Sequence, residues 1–232
     1  MEIKIFYHLV DWPGYEEIAN DQLQKIESSG LLSNAELYMN INYKNEECYG
    51  SIKEKYKNYT NIKWSFRSDI QNQEHTTWVL MQQTAINSTK DFYALYINQK
   101  GITHINDPVK HIPTLHWRLL MDYWNIEKWK DCIDKLHEGY DAVGCLLKDT
   151  VPRHFSGSYA WTTSDFLKKS QILKLPSEVN FQAQVPGLNT GHPYRCDVEF
   201  YHGHNNAKMF SFHNTDHDFY RYEYPLEKYR HI

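Results

Sequence analysis

The sequence predicts an α/β protein, a mixed and mostly parallel sheet flanked by helices, folded as a single domain. Short apolar runs alternate with stretches of helical periodicity from residue 3 to residue 97, which is the grammar of strand-helix-strand units. Within that alternation residues 92–97, FYALYI, form an uncharged run of the length and aromatic, β-branched character of a strand buried on both faces. A chain of 232 residues is long enough to bury a full core, and no internal repeat or clean linker divides it.

Each element follows from its residues. Residues 3–10 read as the first strand, carrying His8 near its end and followed by a Pro13-Gly14 turn. Over residues 15–28, Ile18, Leu23 and Ile26 recur at roughly helical spacing among Glu, Gln and Lys, and Ser29-Gly30 closes the helix. Residues 35–41 give a second strand, 42–61 a solvated loop or a short helix around Ile52, and 62–67 a third strand. Residues 74–87 carry Trp78, Met81 and Ala85 at i, i+3 and i+7, a helix that delivers the chain to the 92–97 strand.

That strand stops in Asn98, Gln99, Lys100 and Gly101. The carboxyl end of a strand is where open α/β sheets bind ligands. A glycine there permits a tight turn and the lysine offers a point charge to a phosphate; an ordinary strand exit with a solvated lysine is the plainer alternative. Further on, Pro108 and Pro113 bracket a loop, 115–137 reads as one long helix, and 140–146 as a strand. Residues 152–161 form a Gly- and aromatic-bearing loop that leads into a helix capped by Ser164 and running to Lys169. Residues 176–193 are a Pro- and Gly-containing excursion, of the kind that often covers a site, and 195–224 are short strands rich in His and Tyr.

Composition excludes several classes. A net charge of −4, from 25 basic and 29 acidic residues, gives no basic excess, so no nucleic-acid partner is expected. Cys48, Cys132, Cys145 and Cys196 lack CxxC spacing, which argues against a zinc ribbon or a disulfide scaffold and for a reducing compartment. The amino-terminal MEIKIFYHLVDW is a charge-interrupted strand and not a signal peptide, and no apolar run approaches a membrane span; a cytoplasmic location is expected. Aromatic content is high, with 18 Tyr and 7 Trp, which suits stacking on sugars or bases as well as ordinary core packing.

YINQKGITH, HWRLLMDYW, YDAVGC, then HFSGSYAW followed by a helix and RCDVEF, occur here in a recognisable order. Together they resemble a family of GT-A type glycosyltransferases found in bacteria, algae and large DNA viruses. The family strand usually ends Tyr-x-His-x-Lys-Gly, an Arg follows Trp on the next helix, and a His-Phe-x-Gly-Asn loop comes later. The resemblance spans about residues 91–200; before it only the strand-helix grammar agrees. It implies a GT-A-like domain over residues 1–232, with a nucleotide-binding half to about 105 and an acceptor half beyond. It also implies glycosyl transfer from a nucleotide-sugar donor to a glycan or other acceptor hydroxyl.

On that resemblance His8, Asn98, Lys100, Gly101 and Arg118 would bind the donor, with Lys100 and Arg118 meeting the diphosphate. For Arg118 the plainer alternative is an i, i+4 ion pair with Asp122. His154, Ser156, Gly157, Ser158, Tyr159 and Trp161 would bind the sugar or the acceptor. Glu199 would take the acceptor's proton, with Asp197 and Asp165 behind it. Where the family carries Asp-x-Asp for a divalent cation such as Mn or Mg, this chain has Asn98-Gln99-Lys100. A cation would then be unnecessary or be held elsewhere, with His202 and His204, two apart on a strand, as its ligands. A GT-A-like module that binds a glycan or nucleotide without turnover is the alternative function. A hydrolase built on the carboxyl-terminal histidines ranks last, since no HExxH spacing occurs.

Overall fold

A computed structural model of the chain describes residues 1–43, 46–59, 62–67, 74–175 and 198–230. Its first half follows the predicted alternation closely: β1 (Glu2–Val10), α1 (Tyr15–Ser28), β2 (Ala35–Asn42), α2 (Glu46–Lys55), β3 (Ile62–Arg67), α3 (His75–Asn87) and β4 (Phe92–Asn98). The second half is more broken. It contains α4 (His111–Asp122), a π turn (Tyr123–Glu127), α5 (Trp129–His137), β5 (Ala142–Gly144), β6 (Leu147–Lys148), β7 (His154–Phe155), β8 (Ala160–Thr163), α6 (Ser164–Lys169), α7 (Tyr201–His204) and β9 (Met209–Ser211).

Seven strands form one sheet in the order β3-β2-β1-β4-β8-β5-β9, with β8 antiparallel to its neighbours and the other pairings parallel. The fold is therefore α/β with a mostly parallel mixed sheet, consistent with a single GT-A-like domain. β4 is buried along its whole length, as the uncharged run predicts, and its side chains alternate between two cores. Tyr93, Leu95 and Ile97 join Ile5, Tyr7 and Leu9 of β1 in the core shared with α1, α4 and α5. Phe92, Ala94 and Tyr96 join Phe6 in the core shared with α3 and α6. This is the period-2 alternation of a strand covered on both faces.

Several boundaries differ from expectation. The helix predicted over 115–137 begins at His111, because Pro113 sits in the first turn, where a missing N–H costs nothing. It also breaks in a π turn, where the Lys128 amide donates to the Tyr123 carbonyl and the Asn125 side chain donates to the Met121 carbonyl. The strand expected over 140–146 is confined to β5, since Leu146 turns into the left-handed region at φ 60°. Thr163, not Ser164, caps α6, its Oγ1 accepting from the Phe166 amide; the Ser164 hydroxyl accepts from the Phe92 amide instead. The expected excursion over 176–193 lies outside the described residues.

Candidate functional site

β1 runs through α1 to β2 on one side and pairs with β4 on the other. The chain thus reverses its direction of sheet growth between β1 and β4, and the crevice at their carboxyl ends is the usual ligand site of an open α/β sheet. A cavity of about 200 Å³ occupies that crevice. It is lined by His8, Val10, Trp12, Asn42 and Glu74 together with Asn98, Gln99, Lys100, Gly101 and Thr103. The β4 exit is thus a wall of a real cavity.

Gly101 is required by the geometry. Its φ is 88°, and a Cβ there would lie 2.9 Å from the Thr114 hydroxyl oxygen. The turn leaves the Lys100 ammonium 3.8 Å from the centroid of the Trp117 ring, a cation–π contact. Arg118, nearly fully buried, reaches over from α4 and donates from Nη1 to the Lys100 carbonyl at 3.0 Å; its Nε has no partner among the described residues. Arg118 forms no ion pair with Asp122, whose carboxylate is taken by Lys25 at 2.9 Å and by the Gln22 amide at 3.1 Å. Two cationic side chains therefore stand at the β4 exit, and neither is paired with a carboxylate among the described residues.

Gln99 fixes the wall between β4 and β1. Its Oε1 accepts from the Val10 amide at 2.8 Å and its Nε2 donates to the Tyr15 carbonyl at 2.9 Å. His8 is buried, and its Nδ1 lies 2.8 Å from the Thr77 hydroxyl. Burial pushes its pKa down to about 3, so the ring is neutral at physiological pH.

The loop that follows β7 is brought against this site. Gly157 takes φ 94°, and a Cβ on it would lie 2.5 Å from the Met121 sulfur. Its amide donates to Glu199 Oε1 at 2.7 Å, and its carbonyl is 3.5 Å from the Asn98 Nδ2. Glu199 is half-buried, in a turn before α7, and Gly157 connects its carboxylate to the end of β4. Ser156 lines a second cavity of about 140 Å³ with Trp117, Lys148, Asp218 and Tyr220, so Trp117 belongs to that cavity while carrying Lys100 on its ring.

Other sequence candidates lie elsewhere. Tyr159 is 1 % exposed; its hydroxyl donates to the Asn98 carbonyl and accepts from the Gln22 amide. Trp161 is fully buried in β8, with its indole N–H on the Asn125 carbonyl at 2.9 Å. Both are core residues, Trp161 within β8 and Tyr159 immediately before it, and neither presents a stacking face. Ser158 is buried in the left-handed region at φ 71°. His154 packs edge-on against Phe200 with ring centroids 4.6 Å apart. Asp165 is exposed in an ion pair with Lys169 on α6, away from the cavity lining, and Asp197 lies outside the described residues.

The expected cation pair does not fit either. His202 and His204 sit on a helix and not a strand, so they do not share a face. His202 is buried among Trp78, Phe155 and Phe166, and burial pushes its pKa down to about 3. At the β4 exit the donors are Asn98, a Gln99 whose amide is already bonded at both ends, and a lysine. Among the described residues no group of three His, Cys, Asp or Glu side chains converges to hold a metal ion. These donor sets do not suit a divalent cation.

Sequence reasoning missed Glu74, Asn42 and Thr77. They carry a signal in hindsight: a polar EHTT opens α3, and a helix that follows a parallel strand begins at the carboxyl edge of the sheet, where β1 and β4 end. Compared with known proteins, the chain matches no family model and none of the curated proteins. No helix among the described residues is long and apolar enough to cross a membrane.

Proposed function

We propose that the chain is a glycosyltransferase that moves a sugar from a nucleotide-diphosphate donor to the hydroxyl of a glycan or another acceptor. The observation that supports it most is the pairing of a crevice-end cavity with two cations, Lys100 and Arg118, that lack carboxylate partners among the described residues. Glycosyl transfer breaks the bond between the anomeric carbon and the diphosphate oxygen, and the charge growing on the leaving group needs such cations. Lys100 reaches it from the cavity wall, swinging off Trp117, while Arg118 holds the Lys100 backbone and supplies charge from beneath. In an inverting reaction Glu199 accepts the proton as the acceptor oxygen bonds to the anomeric carbon. It sits on the Gly157 amide, whose carbonyl lies 3.5 Å from the Asn98 Nδ2 at the end of β4. Lys100 and Arg118 neutralise the diphosphate in this reading, and no step runs through a metal.

One observation favours a second reading, a module that binds nucleotide or glycan without turnover. The β4 exit carries no carboxylate pair, and the Gln99 amide is consumed in holding the fold. A thermal-shift panel of UDP-, GDP-, CMP- and dTDP-linked sugars, with and without Mn, tests binding first. A ligand at 100 times its dissociation constant stabilises by about 2.7 kcal/mol. A donor that shifts the protein is then offered with acceptor sugars. Release of nucleoside diphosphate that Glu199→Gln abolishes supports the transferase. Binding with no release supports the silent module, and no binding by any donor removes both readings.

A further inference from the structure

The second cavity is lined from α4, from the β6–β7 pair and from the chain after β9, and the charges in its wall are already spent. The Lys148 ammonium donates to the Thr215 carbonyl at 2.7 Å and to Asp216 at 3.0 Å. Asp218 Oδ1 accepts from the Tyr220 amide at 3.0 Å, and its Oδ2 lies 3.5 Å from the Arg221 Nε. What the wall keeps free is neutral. The Ser156 hydroxyl has no hydrogen bond among the described residues. The Thr215 hydroxyl accepts from the His217 amide at 3.2 Å and keeps its own proton to donate. The His217 Nε2 lies 2.9 Å from the Tyr222 carbonyl, which can only accept, so it carries the proton of the neutral ring and leaves Nδ1 bare.

Aromatic surface adjoins these groups. Trp117 is covered, because Phe219 stacks on it with ring centroids 5.4 Å apart and Lys100 lies over the same ring. Tyr220 stands edge-on to Trp117 at 5.3 Å and is 41 % exposed, so it keeps ring surface for a ligand. The volume, about 140 Å³, suits one six-membered ring, since a cavity of about 150 Å³ admits benzene. An anion finds no unpaired cation among the lining residues. A purely apolar ring would strip water from Ser156, Thr215 and His217 and leave them without partners, which is costly. A sugar ring meets both demands, with C–H groups for an aromatic face and hydroxyls that donate and accept.

We infer that the second cavity is a seat for one neutral pyranose ring. His217 Nδ1 accepts from one hydroxyl, Ser156 and Thr215 bond its neighbours, and Tyr220 covers the C–H face. Lys100 lines the first cavity and rests on Trp117, which lines the second, so the seat adjoins the cationic site through one shared ring. It does not depend on the nucleotide reading, since it belongs to a transferase and to a module without turnover alike.

The probes are the methyl pyranosides of glucose, galactose, mannose, N-acetylglucosamine, fucose and xylose, each titrated into the nucleotide-free protein and followed through backbone amide shifts in nitrogen–proton NMR. At least one is expected to move the Ser156, His217 and Tyr220 amides saturably and to leave those of Gln99 and Gly101 in place. Ser156→Ala, which removes a hydroxyl that makes no hydrogen bond among the described residues, should weaken that binding about threefold to tenfold, the loss of one hydrogen bond. His217→Phe, which keeps a ring beside Phe219 and Tyr224, should weaken it by as much or more. Binding by no pyranoside, shifts confined to Gln99 and Gly101, or wild-type affinity in both variants each overturns the seat. With no nucleotide present, none of these outcomes bears on donor binding, and failure of every nucleotide-sugar to bind leaves the seat standing.

Discussion

The two faces of the β1–β4 pair are both polar near the sheet's carboxyl edge, yet they are built to opposite ends. On the α1 and α4 face, Gln22 bonds the Tyr7 hydroxyl, the Asn98 carbonyl, the Tyr159 hydroxyl and Asp122, while Asp122 is closed off by Lys25. Both Gln22 and Asp122 are fully buried. On the α3 face, His8 and Glu74 are each bonded on one side only and turn the other toward a cavity. A buried polar network with its members paired is scaffold; one with spare capacity facing a cavity is a site. The difference is one of satisfaction and not of residue type, since both faces use amides, carboxylates and hydroxyls.

If this contrast holds, disturbing the closed face costs stability and disturbing the open face costs ligand binding. The largest effect is expected from Asp122→Ala, which removes the fully buried partner of Lys25, leaving it only the more exposed Asp21, and takes one bond from the buried Gln22. Breaking a buried pair from one side destabilises by about 3–5 kcal/mol, read as a lower denaturation midpoint, and a loss under about 1 kcal/mol would show that the network is not a unit. Gly157→Ala comes next: φ 94° and a Cβ only 2.5 Å from the Met121 sulfur should cost about 1–3 kcal/mol, and should lower the nucleoside diphosphate release of the proposed transferase by moving the backbone that Glu199 holds. Wild-type stability in that variant would remove the strain argument.

The third prediction concerns pH. Burial takes His8 and His202 from 6.5 to about 3, so between those values the unfolded chain binds more protons than the folded one. Stability therefore rises with pH across that window and falls as the pH drops below 6.5, by about 1.4 kcal/mol per pH unit for each histidine at full effect. His202→Phe should remove its share of that slope without harm to the fold, because the His202 Nε2 has no partner among the described residues and a phenyl ring keeps the aromatic packing. An unchanged slope would show that His202 is not buried as described. The smallest stability effect belongs to Lys100→Ala, about 1 kcal/mol or less for a half-buried cation–π contact, although affinity for a diphosphate should fall clearly. A loss of stability without a loss of affinity would assign Lys100 to the scaffold.

The amino-terminal half was legible because its strands carry apolar or alternating runs and α1 and α3 show a helical period between them. The bounds of α1 and β3 match the periodicity residue for residue. β8 was not legible: four residues at the end of an aromatic loop carry no strand signal of their own, and pairing with β4 and β5 creates the strand. The burial of Trp161 in β8 and of Tyr159 just before it follows from that pairing, because an aromatic loop and an aromatic core strand have the same composition. At the site, Lys100 and Gly101 could be read from strand-end grammar. Glu74 and Thr77 could not, since their role depends on which cavity the first turn of α3 faces, a matter of tertiary arrangement.

Gln99 gives the cavity its mechanical character. One amide clasps the amide of Val10 and the carbonyl of Tyr15, so the exit of β4 and the turn after β1 are fastened together before any ligand arrives. A ligand entering there has no wall to assemble and loses little affinity to ordering it. The same clasp is a clock, for the Val10 amide exchanges its hydrogen with water only when the walls part, and its exchange rate measures how often that happens.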